Sequence, residues 1–490
     1  MNNEKLIHQP ITPIIAKTSQ YGIDPSLVKT RAAEMPNMVS LKLKELFPDL
    51  PDIIYPAPEG VDGIKEVYRV AVESLRQLDM SKIKPEHSVN VLASHHGFTL
   101  YGGQPYAELL KAIKDVVIEK TGSTNIRLRA GVGMRFRETE EYIKRYELDT
   151  YFDGKASGMA PVDEGIAIET EIGTLYGLKK VYDADWIIHA HHTDVREVHF
   201  HRQVDKAVKP FGMSYARCET RSTYHQNLGP RAANFTARAI FDSEFVQSKF
   251  AFASFLNVGP HGIIGVDSDT DLYALNDRAT FLGCQYYGKI MTLFGEIDEC
   301  IAVLDFPCPV PYVFSAGVIY GNFVGANTDL YDMNVPLPAY TWYTEAFYNK
   351  KDKPMLNDIP SMNPAVKMCV HNYAWLGYPS AFFSKHIPTI VVGQEQSDLF
   401  DTDPLNMEYM DYAAVIKSTE GAMNFAYNTA GTDKVLIFDG AMSGINLSRS
   451  LAELLIEKAP SVSEKVDKVL LPKWLKQRGV DISILEKLKK

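Results

Sequence analysis

The sequence predicts an α/β fold with two α/β domains, largely parallel sheets and an active-site cleft between the domains. Two observations predict this class. Short apolar segments typical of strands alternate along the chain with longer segments whose apolar residues recur at helical spacing. Hydrophobic residues make up 46% and charged residues 23% of the 490 residues, which is the composition of a packed globular protein rather than a disordered chain.

The first domain is predicted from alternating helices and strands that follow a Pro-rich entry. Apolar residues at 64, 67, 68, 71, 72 and 75 share one helical face, and polar and apolar residues alternate over 125–130 as in a strand. The predicted elements are a helix over 64–78, a strand over 88–93, a helix over 105–120, a strand over 125–130, a helix over 138–146 and a strand over 185–190.

The second domain is predicted from apolar strands at 310–319 and 389–393, separated by a polar, Pro-rich stretch. We place the boundary between the domains near residue 305, where the chain continues as Phe-Pro-Cys-Pro. The predicted division is an N-terminal extension over 1–51, an N-terminal catalytic α/β domain over 52–305, a C-terminal α/β domain over 306–472 and a terminal helix or tail over 473–490.

Charge and composition exclude several classes of partner. The net charge is −10, so there is no basic surface for nucleic acid or an anionic membrane. The longest apolar runs fall short of the roughly 20 residues that a membrane span requires, and the first eight residues do not resemble a signal peptide. Five cysteines without a CxxC pair are typical of reduced thiols. We therefore expect a cytoplasmic enzyme with a small-molecule partner, and the sequence leaves open whether it forms a homo-oligomer.

Histidines are concentrated after the strand predicted at 185–190. Five of the thirteen histidines fall within residues 189–201. Imidazole titrates near neutrality and binds borderline metals, so this cluster suits proton transfer or metal binding. The alternative is that histidines at a strand end bond to neighbouring backbone groups.

A second histidine pair, His95 and His96, ends the strand predicted at 88–93. The carboxyl ends of parallel strands are where α/β proteins collect ligand groups. After the next strand, Arg135 and Arg137 could hold an anion or could be solvated. The sequence contains no GxGxxG, P-loop, GxSxG or HExxH motif.

Three residues in this region stand in a regular order: Lys209 follows His199 by ten residues, His225 follows Lys209 by sixteen, and Glu219-Thr220 precedes the second histidine. This order resembles that of the nickel-dependent lactate racemase family of 2-hydroxyacid racemases and epimerases. The resemblance spans roughly residues 52–345 and is weaker in the second domain.

The resemblance implies a role for each of these residues. Lys209 would carry a nickel pincer nucleotide, with Lys206 as a competing anchor, and His225 would bind the nickel. His199 would be the general base that takes the substrate hydroxyl proton while a hydride leaves for the cofactor. Arg202 lies in the turn that replaces the family's Gly-rich turn, and we expect it to contact the cofactor.

The chain departs from the family at the second base. Met134 stands where the family has a histidine, and a thioether cannot accept the proton. We expect His95 to supply this base from the neighbouring strand end, and His96 to be packed or bonded to backbone. The family's carboxylate-binding arginine is also absent from residues 95–98, which predicts a substrate unlike lactate, such as a sugar acid.

Three functions therefore remain open from the sequence. The first is an isomerase that racemises or epimerises a 2-hydroxy acid or sugar acid by proton abstraction and reversible hydride transfer to a nickel pincer nucleotide. The second is a divalent-metal isomerase or hydrolase that uses His191, His192, His199 and His225. The third is a non-catalytic relative that binds a small metabolite.

Overall fold

The computed structural model describes most of the chain in two compact units. One unit consists of Met1–Pro51 and Cys284–Gly479, and the other of Asp52–Gly283 and Val480–Lys490. The described residues are 3–12, 30–56, 63–99, 103–132, 138–193, 207–227, 230–305, 323–324, 329, 331–334, 363–373, 381–402, 409–441, 443–481 and 483, and for 99, 225–227, 230–233 and 381–383 only the backbone is described.

The fold is α/β, as the sequence predicts, and each unit has its own largely parallel sheet. The described strands are, in chain order, β1 (Ile7–His8), β2 (Met38–Lys42), β3 (Ser88–Ser94), β4 (Asn125–Gly131), β5 (Ala156–Met159), β6 (Gly165–Thr170), β7 (Gly173–Leu178), β8 (Trp186–His192), β9 (Phe250–Gly259), β10 (Gly262–Asp269), β11 (Cys300–Leu304), β12 (Val366–His371), β13 (Thr389–Val392), β14 (Ala413–Ile416), β15 (Val435–Phe438) and β16 (Gly444–Ser448).

Helices connect most of these strands. The described α-helices are α1 (Leu43–Leu46), α2 (Ile64–Arg76), α3 (His95–Thr99), α4 (Gln104–Thr121), α5 (Glu138–Arg145), α6 (Leu148–Tyr151), α7 (Lys179–Tyr182), α8 (Lys209–Gly212), α9 (Cys218–Arg221), α10 (Pro230–Phe241), α11 (Glu244–Gln247), α12 (Leu272–Phe294), α13 (Ala381–His386), α14 (Gln394–Thr402), α15 (Thr419–Ala430), α16 (Arg449–Lys465) and α17 (Leu471–Gln477). Asn3–Leu6 and Ala32–Glu34 are 3₁₀ turns, and Ser222–Asn227 and Val466–Leu470 are π-helical. None of the described helices is long and apolar enough to cross a membrane.

The unit of residues 52–283 contains a sheet of order β10-β9-β8-β3-β4-β5, in which β10 is antiparallel to β9 and the other neighbours are parallel. The central strand β3 is buried along its whole length, as expected for a strand that has parallel neighbours on both sides. Each element predicted here is present, with ends shifted by at most two residues. β6 and β7 form a separate antiparallel hairpin.

The other unit contains a sheet of order β1-β2-β16-β15-β11-β12-β13-β14, in which the strands from β15 to β14 run parallel. The predicted strand at 389–393 is present as β13, and the one at 310–319 lies outside the described residues. α17 ends at Gln477, and Gly479 follows in the left-handed region with φ 70°, whereas we predicted a terminal helix or tail over 473–490.

Two predicted domain limits differ from the observed units. The described residues among 1–51 form no separate extension, because β2 pairs with β16 and joins the larger sheet. β11 belongs to the same sheet, so the units divide between residues 283 and 284 rather than at 305. Both differences arise from pairing between strands that are far apart in sequence. The predicted cleft between the domains stays a prediction.

A short N-terminal segment covers the carboxyl ends of two strands in the larger sheet. Asp305 and Asn372 directly follow β11 and β12, and both are fully buried. The carbonyl oxygen of Thr30 accepts a hydrogen bond from Asn372 Nδ2 at 2.9 Å, and the backbone N–H of Ala32 donates to Asp305 Oδ2 at 2.6 Å. We call residues 30–32 the N-terminal strap.

Candidate active site

The candidate site lies at the carboxyl edge of the sheet in the unit of residues 52–283. Because β3, β4 and β8 run parallel, their carboxyl ends meet at this edge. Ser94 at the end of β3 pairs with Gly131 at the end of β4. His95 follows Ser94 directly and begins α3, and His192 ends β8. This is the edge at which parallel sheets collect ligand groups.

His95 lies against a buried carboxylate. Its Nε2 is 2.5 Å from Oε2 of Glu138, and the two side chains are 9% and 6% exposed. Glu138 is the first residue of α5, which follows β4, so the neighbouring strands bring the two residues together. Nδ1 of His95 is also buried and has no hydrogen-bond partner among the described residues. The pair therefore resembles the histidine and carboxylate of a general base and its orienting group.

Two aromatic rings lie beside that of His95. The ring centroids of His96 and Tyr142 lie 5.8 Å and 6.0 Å from that of His95, and Phe98 stacks on Tyr142 at 5.4 Å. A Cβ on Gly97 would lie 2.3 Å from a ring carbon of Tyr106, so only glycine permits this packing. Because its side chain is only 9% exposed, the His95 ring is shielded from bulk water, which strengthens its interaction with a carboxylate.

Tyr106 joins the end of β3 to β8. Its hydroxyl donates to the carbonyl oxygen of Ala190 at 2.8 Å and accepts from the backbone N–H of Ser94 at 3.3 Å. Burial raises the pKa of this hydroxyl above its usual value, so it stays protonated and keeps its role as a donor. The two strand ends are thereby fixed next to His95.

The histidines of β8 lie on opposite faces of the sheet. His189 and His191 stack at 5.7 Å and both contact Phe255, whereas His192 faces Tyr106 at 6.3 Å. Adjacent strand residues point to opposite faces, which accounts for this division. It argues against the alternative in which His191 and His192 bind one divalent metal together. Within the described ranges, no group of three or more His, Cys, Asp or Glu side chains could hold a metal ion.

His189 is fully buried and bonded through both ring nitrogens. Nδ1 lies 3.1 Å from the hydroxyl of Tyr215, and Nε2 lies 2.9 Å from the carbonyl oxygen of Ala207. Burial, and to a smaller extent His191, lowers the pKa of His189 to about 3, so the ring is neutral near pH 7. The sequence did not distinguish this histidine from the others in the cluster.

The lysine that we predicted as a cofactor anchor lies in a tightly held segment at the same edge. Lys209 is the first residue of α8 and is half-buried. A Cβ on Gly131 would lie 2.2 Å from the backbone oxygen of Ser214, so glycine lets the segment after Lys209 approach the end of β4. The segment therefore passes beside the strand end next to His95.

The other predicted site residues are described in part or not at all. The backbone of His225, the predicted nickel ligand, lies in the π-helical segment Ser222–Asn227. π-helical turns are rare and are frequent at functional sites, although this chain also has one at Val466–Leu470. Residues 194–206, with His199, Arg202 and Lys206, and residues 133–137, with Met134, lie outside the described part of the chain.

Sequence reasoning missed Glu138. Residue 138 was predicted only as the start of a helix, because nothing local connects it with His95. A usable signal did exist: two strands predicted to be neighbours are followed by a histidine and by an acidic residue, and both should reach the same sheet edge.

The chain is distantly similar in structure to the lactate racemase apoprotein from Thermoanaerobacterium thermosaccharolyticum. The sequence identity is 13% and the TM-score is 0.41, and the match covers 80% of this chain and 95% of that chain. No protein-family model matches the sequence. No curated protein matches it either. At this level the likeness is a distant structural relationship and assigns no residue role.

Proposed function

We propose that this chain is an isomerase that racemises or epimerises the hydroxyl-bearing carbon of a 2-hydroxy acid or sugar acid. The observation that carries the proposal is the contact between His95 and Glu138 at the carboxyl edge of the sheet. The sequence predicts His95 as a base, and a buried carboxylate against one ring nitrogen is the partner that orients such a base. The order of His199, Lys209 and His225 supports the reaction class.

In the proposed reaction, Nδ1 of His95 accepts the hydroxyl proton of the substrate. This nitrogen is buried without a hydrogen-bond partner among the described residues, and a substrate hydroxyl would supply the missing donor. The negative charge of Glu138 stabilises the imidazolium that forms and fixes the orientation of the ring. His199 is the proposed base for the opposite face of the substrate.

A nickel pincer nucleotide is the proposed cofactor, with Lys209 as its anchor, His225 as the nickel ligand and Arg202 as a further contact. Two observations support Lys209 as the anchor: it is half-buried, and Ser214 in the same segment packs against Gly131 at the strand end next to His95. When bound, the cofactor would accept a hydride from the substrate carbon and return it. The residues of the chain itself bind the substrate and move the proton.

The proposal is tested with protein produced together with the enzymes that synthesise the cofactor. A panel of chiral 2-hydroxy acids and sugar acids, deuterated at C2, is incubated with the protein and separated by chiral chromatography. We expect inversion with retention of deuterium at C2. Inversion with exchange of deuterium for solvent hydrogen, or no reaction with any acid of the panel, would contradict the proposal.

Two pairs of variants assign the residues. His95→Gln should lower kcat by about 10²–10⁴, the usual effect of losing a general base, whereas His96→Gln should have a much smaller effect. Lys209→Ala should abolish both activity and the added cofactor mass in intact-mass spectrometry, and Lys206→Ala should retain most of both. The reverse ranking of the lysines would move the anchor to Lys206, and full activity of His95→Gln would remove the proposed base.

A further inference from the structure

One buried side chain holds the Lys209 segment at two points. We call residues 207–215, which contain α8, the lysine segment. The carbonyl oxygen of Ala207 is 2.9 Å from His189 Nε2, and the hydroxyl of Tyr215 is 3.1 Å from Nδ1. His189 lies in β8 and has no exposed surface. The two ends of the lysine segment are thus bonded to the same strand residue.

The two contacts define the state of the imidazole. A carbonyl oxygen can only accept, so Nε2 of His189 carries the hydrogen and donates it to Ala207. Nδ1 is then an acceptor, and the hydroxyl of Tyr215 donates to it. Every hydrogen-bonding group of the ring is used, which is the arrangement that a buried polar side chain requires. The contact is specific to a neutral imidazole and a tyrosine hydroxyl.

The remainder of the lysine segment is fixed by packing and by backbone bonds. Phe211 packs 5.5 Å from the ring of His189 and 5.0 Å from that of Phe241. The backbone N–H of Tyr215 donates to the carbonyl oxygen of Pro210 at 2.8 Å, and its carbonyl oxygen accepts from Leu178 at 2.8 Å. The backbone at Lys209 is therefore enclosed between two fixed ends.

We infer that His189 is a positioning residue that fixes the place from which Lys209 presents its amine. This inference rests on the proposed function, in which Lys209 anchors the cofactor. A lysine side chain has several rotatable bonds, and a backbone that also moved would lower the fraction of molecules with the amine in place. Fixing the segment before the cofactor binds reduces the conformational freedom that is lost on binding.

The test uses the full chain without cofactor, so that it does not depend on activity. Tyr215→Phe removes the hydroxyl and keeps the ring. Amide hydrogen exchange of the lysine segment and the rate at which an amine-reactive reagent labels Lys209 are measured by peptide mass spectrometry. The matched control is Tyr182→Phe, because Tyr182 is buried in the same apolar cluster and its hydroxyl has no hydrogen-bond partner among the described residues.

We expect Tyr215→Phe to increase exchange in the lysine segment and labelling of Lys209 by about three- to tenfold, the effect of losing one buried hydrogen bond. The control should change neither, and labelling of the exposed Lys180 should be the same in all proteins. His189→Gln retains a donor and an acceptor and should lie closer to the unsubstituted protein than His189→Leu does.

Unchanged exchange and labelling in Tyr215→Phe and His189→Leu would overturn the inference. An equal increase over all strands of the sheet would also overturn it, because His189 would then be an ordinary core residue. If the segment responds as expected and the unsubstituted protein never acquires the cofactor mass, the proposed function fails while the positioning of the lysine segment by His189 stands.

Discussion

Asp439 should make the larger sheet less stable as the pH rises. Asp439 directly follows β15 and is fully buried. Burial, together with the nearby Asp305, raises its pKa from 3.8 to about 7. A hydrogen bond from Asn446 at 2.7 Å opposes this shift. A group whose pKa is raised by folding stabilises the folded state below its unfolded pKa and loses that effect as the pH rises through the folded value. Between pH 4 and 7, Asp439 should therefore lower the free energy of unfolding by at most about 4 kcal/mol.

Asp439→Asn removes this titration. The backbone N–H of Ala441 and Nδ2 of Asn446 both donate to the carboxylate, and an amide can accept only one of these bonds, so the variant loses about 1 kcal/mol at every pH. We therefore expect the variant to be less stable than the unsubstituted chain by about 1 kcal/mol near pH 3, but more stable by roughly 0.5–1 kcal/mol at pH 5 and by roughly 3 kcal/mol at pH 8.

The assay is amide hydrogen exchange of β15, converted to a free energy of opening at four pH values between 5 and 8. Asp433→Asn is the control, because Asp433 is exposed and precedes the same strand. His371, in the same unit, also makes stability depend on pH, because burial lowers its pKa to about 3 and the fold loses stability as the pH falls below about 6.5. Comparing the variants with each other separates the effect of Asp439 from that of His371. Parallel curves for the unsubstituted chain and Asp439→Asn would refute the reasoning.

Three further predictions concern the candidate site. Glu138→Gln keeps the shape of the side chain and removes the charge beside His95, so kcat should fall about 10- to 100-fold in the racemisation assay while KM changes little. An unchanged kcat would exclude Glu138 as the group that orients His95 and stabilises its protonated form. Gly97→Ala places a methyl group 2.3 Å from a buried ring and should lower the free energy of unfolding by roughly 1–3 kcal/mol, measured in urea. In Gly131→Ala the added methyl group would lie 2.2 Å from the backbone oxygen of Ser214, so the lysine segment should be displaced and Lys209 should be labelled faster than in the unsubstituted protein. An unchanged labelling rate would show that the close approach of Gly131 and Ser214 does not hold the lysine segment in place.

Local patterns predicted the elements of the unit of residues 52–283 well. The apolar spacing of β3 and β4 is visible within each strand segment of the sequence. α4 ends at Thr121, and Gly122 follows with a φ of 74°, which favours glycine. The hairpin of β6 and β7 was not among the predicted elements. Its strands are short and half-exposed, so they lack the long apolar run of a buried strand.

Long-range pairing limited the prediction of the larger sheet and of the site. Nothing in the sequence near β2 indicates that it pairs with β16, and nothing near Glu138 indicates that it contacts His95. The preference for His95 over His96 as the base used only the alternation of side chains. The contact of His95 with the Glu138 carboxylate is consistent with that preference. Asp305 and Asp439, which follow β11 and β15, were not predicted as buried residues, because isolated aspartates after strands are common in turns.

The pairing of N-terminal residues with residues far later in the sequence has a consequence for the synthesis of the chain. The backbone N–H of Ile11 bonds to Asn446, 435 residues later, and Ala32 bonds to Asp305. At about 5–20 residues per second, the first strands would leave the ribosome tens of seconds before their partners exist. Until then, β1 and β2 have unpaired edges that could join another chain. Residues 52–283 can complete their sheet during this interval, whereas β1 and β2 cannot, so we expect the cell's holding chaperones to bind the segments of β1 and β2 in the nascent chain.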